Sequence, residues 1–127
     1  MKRRESRELA LQVLFSLDFE KKSLDQIKKD FQSFDFLSFD DDFAFQLIES
    51  FISNQEQIDL LLQSKLKKWK LSRLNTADRA CLRLGAIEIT LNKMEKGVVI
   101  NEYLEIAKKF SDTDSAAFIN GVLDSLS

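Results

Sequence analysis

The chain of 127 residues contains no proline, no histidine, one cysteine and three glycines. So few backbone breakers exclude a turn-rich β fold and favour helices joined by short polar connections. A single thiol, Cys81, permits neither an internal disulfide nor a cysteine-based zinc site and reads as a small core residue. Without histidine the chain lacks the usual general base at neutral pH, the Ser-His and Cys-His nucleophile pairs and the commonest metal ligand. Gly85, Gly97 and Gly121 are isolated, so no phosphate-cradling glycine loop exists. No run of about 18 apolar residues is present to span a bilayer. The basic start is followed at once by Glu5, Ser6, Arg7 and Glu8, so it lacks the apolar stretch of a secretory signal. These absences lead us to expect a cytoplasmic protein that is not an enzyme and holds no cofactor or metal.

What remains is strongly helical. Apolar residues make up 44% of the chain and charged residues 31%, the balance of one globular domain over residues 1–127. Apolar positions recur at helical spacing in every segment. A first helix is expected from about Arg3 to Glu20, with Leu9, Ala10, Val13, Leu14 and Leu17 on its inner stripe. The stretch "SLDQIKKDF" predicts a second, opened by a capping box of Ser23 and Gln26 and turned inward through Leu24, Ile27 and Phe31. Ser38 caps a third, where Asp40, Asp41 and Asp42 meet the positive end of the helix dipole. Its inner face is Ala44, Leu47, Ile48, Phe51 and Ile52. A fourth follows "SNQEQ" with Ile58, Leu61, Leu62, Leu66 and Trp69 in register. Trp69 among Lys67, Lys68, Lys70 and Arg73 could also stack a base or anchor a partner, but the register favours the core.

The segment "NTADRACLRLGAIEITLN" is apolar nearly all round, as a central helix packed on several sides would be. Gly85 in its middle is expected to admit a close neighbour. A sixth helix near Val98 to Phe110 and a seventh from Thr113 or Asp114 complete an all-α bundle of about seven helices.

Charge is distributed unevenly. The net charge is −2, yet residues 30–64 hold eight acids and no base, leaving +6 on the remainder. The bases gather in two places: Lys2, Arg3, Arg4 and Arg7, and then Lys65, Lys67, Lys68, Lys70 and Arg73. On a helical wheel Arg3, Arg4 and Arg7 share a sector of about 100° beside the expected core stripe. Such a patch suits phosphate, because guanidinium forks match phosphate oxygens. Two solvated charged faces would account for the same pattern. Phe15 and Phe118 flank their helices' apolar faces, and either widen the core or stack a base or partner. Asp112 and Asp114 read most simply as helix caps.

Three stretches together, "RRESRELALQVLFSLDFE", "NTADRACLRLGAIEIT" and "VVINEYLEIAKKFSDTDSAAFINGVLD", resemble the NusB family of bacterial transcription antitermination factors over essentially the whole chain. The resemblance implies two packed three-helix bundles. It implies binding of the boxA element of ribosomal-RNA leader transcripts together with NusE, a small-subunit ribosomal protein, within RNA polymerase antitermination complexes. On matching positions it assigns RNA contact to Lys2, Arg3, Arg4, Arg7, Asp114 and Phe118, and NusE contact to Phe15 and an exposed Asp78. A homodimer of the free protein over its RNA surface is also compatible with it. Two departures stand out: Phe15 where the family often has tyrosine, and "NKMEKGVV" without the proline common before the sixth helix. Two other readings stay open, a helical protein-interaction adaptor without RNA affinity and the related RNA-binding domain fused to some ribosomal-RNA methyltransferases. The second lacks a following catalytic domain here.

Overall fold

The computed structural model describes residues 3–23, 25–27, 29, 41–111 and 113–126, without the side chains of residues 41, 42 and 113. Within them the chain is helical and has no strand. Helix α1 (Arg3–Phe19), the helical residues 25–27 and helix α2 (Asp41–Lys65) make up one bundle. Helices α3 (Thr76–Ala86), α4 (Lys96–Phe110) and α5 (Thr113–Asp124) make up the other. Helix α3 packs on α1, α2, α4 and α5 alike, so it is the seam of the molecule. Its apolar surround requires that position, since Ala80, Cys81, Leu82, Leu84 and Ala86 are all buried. Gly85 does admit a close neighbour: a Cβ there would lie 2.9 Å from both terminal methyls of Leu123. No helix among the described residues is long and apolar enough to cross a membrane.

Local sequence explains where the elements start and bend. Gln26 N donates to Ser23 Oγ at 3.2 Å, the capping contact expected of that pair. Asn75 caps α3, its Oδ1 accepting from Asp78 N at 2.8 Å. The expected caps Ser38 and Asp112, and the inward positions Leu24 and Phe31, lie outside the described residues. The third and fourth helices of the sequence reading join into α2, which kinks at Asn54 (φ −127°, ψ 17°) where a connection was expected. There the Asn54 amide donates to Ser50 O at 2.9 Å, a side chain competing for a helical carbonyl. Past Ala86 the central helix widens into a π turn, Ile87–Leu91, and Lys93 then adopts a left-handed φ of 55°.

The inner face of α1 differs from the expected one. The structure buries Ser6, Arg7, Ala10, Leu11 and Leu14, and leaves Leu9, Val13 and Leu17 half-buried. The stripe is therefore turned by roughly 60° from the position that leucine and valine periodicity suggests. That rotation carries Arg7 into the core.

Candidate nucleic-acid interface

The five arginines of α1 and α3 show two fates. Arg7 is 3% exposed, which corrects the expectation that it projects into solvent. Its Nε and Nη2 donate to the two carboxylate oxygens of Glu88 at 2.8 and 2.7 Å, and Tyr103 Oη donates to the same carboxylate at 2.5 Å. The guanidinium also lies 5.1 Å from the Phe43 ring centroid. Burial pulls the Arg7 pKa down, but the hydrogen bond and charge of Glu88 more than offset it, so Arg7 stays charged. Burial, followed by the charge of Glu88, pushes the Tyr103 hydroxyl well above its usual range. Arg79 and Arg83 are structural as well: Arg79 Nη2 meets Asp18 Oδ2 at 2.6 Å, and Arg83 forms a two-pronged pair with Asp59 at 2.9 Å per prong.

Arg3 and Arg4 remain at the surface. Arg3 lies over the Phe43 ring at 4.7 Å, and Arg4 Nε donates to Glu102 Oε2 at 2.7 Å. Lys2 lies outside the described residues.

A second feature lies near the C-terminal end of α4, where Asp78 bonds to Ser111. A groove of about 360 Å³ is lined by Trp69, Arg73, Leu74, Asp78, Asp114 and Phe118, with Asn75 and Ser115 completing its wall. It brings Asp78 of α3 together with Asp114 and Phe118, one turn apart on α5. Arg4 reaches Glu102 while Asp78 reaches Ser111. Nine residues of α4 and its cap separate those two contacts, roughly 13 Å along a helix axis. The arginine pair and the groove are thus two separate regions.

Asp78 is buried, which corrects its expected exposure. Its carboxylate accepts from Ser111 Oγ at 2.9 Å, Ser115 Oγ at 3.0 Å and Asn75 Nδ2 at 3.1 Å. It ties the start of α3 to the start of α5. Desolvation, with the Asp78 charge, pushes the neighbouring Cys81 thiol up to about 12, leaving it inert as a nucleophile.

Trp69 corrects the sequence reading in the other direction. Helix α2 ends at Lys65, so the register that placed Trp69 inside does not extend to it, and it is 60% exposed. It stands among Lys67, Lys68, Lys70 and Arg73, all exposed, on the lip of the groove that Phe118 also lines. The sequence did hold the signal, a lone tryptophan in a basic run.

Phe15 is half-buried and meets Phe110 edge-on, ring centroids 6.2 Å apart. One turn further along α1, Phe19 is 85% exposed and was not singled out from the sequence. An aromatic that exposed, spaced four residues from Phe15, shares a helix face with it.

The NusB family model matches residues 4–127. The chain is 43% identical to transcription antitermination protein NusB of Listeria innocua over 124 residues, spanning 97% of this chain and 94% of that one. Its fold is similar to that of T. maritima NusB, with a TM-score of 0.85 and 33% identity over 98% of this chain and 89% of the other. It is also similar to NusB in a crystal structure of antitermination factors NusB and NusE with double-stranded RNA. There the TM-score is 0.83 and the identity 25%, over 97% and 93% of the two chains.

Proposed function

The chain belongs to the NusB family of transcription antitermination proteins, and on that premise we propose that it binds the boxA element of ribosomal-RNA leader transcripts together with NusE. In this reading the pair joins RNA polymerase complexes and suppresses premature termination. The observation that carries it is the groove of Trp69 and Phe118 beside Arg73. Exposed Trp69 and half-buried Phe118, which also packs against the core, offer aromatic surface for stacking unpaired bases at about 1–3 kcal/mol each, and a neighbouring guanidinium holds the phosphate chain. Asp114, exposed at the groove, supplies an acceptor for base edges. Arg3 and Arg4 add phosphate contacts at the start of α1. Arg7 does not touch RNA; it fixes the helix start that presents the other two.

In the same reading NusE meets Phe15, Phe19 and Phe110, supported by the exposure of Phe19 and the edge-on Phe15–Phe110 contact; Asp18, paired with Arg79, lies on the helix of Phe15 and Phe19. Asp78 supports this surface through Ser111, the residue after Phe110.

The test is a titration of boxA RNA and a scrambled RNA, each with and without NusE. The protein alone is expected to bind boxA weakly, and NusE to tighten boxA binding selectively. Equal affinity for both RNAs in the presence of NusE overturns the assignment.

A further inference from the structure

Helix α1 carries two arginine–glutamate pairs with the same chemistry and opposite surroundings. In the Arg7–Glu88 pair the side chains are 4% and 0% exposed. In the Arg4–Glu102 pair they are 46% and 22% exposed. Separating the first would strand a carboxylate with no access to water, at several kcal/mol. Separating the second exposes both charges to solvent, where such a pair holds only weakly. Only the second can exchange its partner.

The surroundings of Arg4 favour exchange for a phosphate in particular. Glu8 and Glu105 also act on its charge, but each has its own base, with Lys109 Nζ 3.2 Å from Glu8 and Lys108 Nζ 3.2 Å from Glu105. Glu102 is the carboxylate that occupies Arg4 directly, through Nε at 2.7 Å. A guanidinium presents five N–H donors in one plane, and this contact takes the Nε one. Phosphate and carboxylate oxygens compete for the same donors.

Resting on the RNA-binding reading above, we propose that Glu102 is an intramolecular competitor for RNA phosphate, holding Arg4 in the free protein and lowering the affinity of the arginine face. A phosphate reaches Arg4 along its Nε edge only by displacing Glu102, and the released carboxylate then repels the phosphate that replaced it. The hydrogen bond from Arg4, ahead of its charge, holds the Glu102 carboxyl below the ordinary carboxylate range. At neutral pH the competitor is therefore fully charged, and competition rather than protonation releases Arg4.

The experiment measures binding of a labelled single-stranded boxA oligonucleotide, with NusE present, by wild type, E102Q, R4A and the double variant. Glu102→Gln keeps the side-chain shape, and thermal melts confirm that each variant folds. The expected result is roughly twofold to fivefold tighter binding by E102Q, the displaced pair converted to a fold-change. R4A is expected to bind more weakly, and adding E102Q to R4A to change nothing, because the competition acts through Arg4. If R4A weakens binding while E102Q leaves it unchanged or weaker, the competitor role is overturned and the RNA face stands. Equal tightening by E102Q in both backgrounds also overturns it, as a general charge effect. If R4A binds like wild type, Arg4 meets no phosphate, and the RNA assignment of this face fails together with the proposal.

Discussion

Glu88 has no solvent exposure and its carboxylate is satisfied by Arg7 and Tyr103 from two other helices. Removing one partner of such a buried pair leaves the other charge stranded, at about 3–5 kcal/mol. Arg7→Ala is therefore expected to lower the unfolding free energy by about that amount, measured by urea denaturation. A loss below about 1 kcal/mol would mean that water or another donor replaces the guanidinium. Any loss of RNA binding by this variant should accompany its loss of stability. The cluster was not legible as a cluster, because its members are 81 and 15 positions apart and no local pattern joins them. One half of it was in view: Glu88 is a lone carboxylate within an apolar segment, and a buried charge demands a partner. Periodicity counted Arg7 as a solvent position because it scores only apolar residues. Trp69 failed for the reverse reason, as an apolar residue extrapolated past the end of its helix.

Existence and order of the elements were largely readable, since spacing alone marks amphipathic helices. Helix ends and bends were less so. The break expected at "SNQEQ" is a kink because one asparagine side chain bonds back to the preceding turn, leaving the flanking helices joined. The segment after α3 carries a cost that spacing cannot reveal. Lys93 sits at φ 55°, a conformation costing a non-glycine residue about 1–2 kcal/mol. Lys93→Gly is expected to stabilise the protein by up to about 1 kcal/mol, the relieved strain being partly offset by a freer unfolded chain. Lys93→Val should destabilise it by about 1 kcal/mol, since a β-branched side chain resists that region more. Denaturation midpoints check both, and the opposite order would show that the turn opens without strain.

Across the whole molecule, an acidic chain is reconciled with RNA binding by segregation of charge. The eight acids of residues 30–64 share their segment with no base, while Arg73, one of the exposed bases near Trp69, lines the groove. Local field, not net charge, then governs contact with a polyanion. The central claim is that RNA occupies the groove of Trp69 and Phe118, and the chain has a single tryptophan to report it. Its intrinsic fluorescence should be titrated with boxA RNA in the presence of a NusE variant lacking tryptophan. Stacking on the exposed indole predicts strong quenching that saturates at the same RNA concentration as binding followed from labelled RNA, and quenching that is lost in Phe118→Ala. Unchanged tryptophan emission at an RNA concentration that saturates binding would contradict the account.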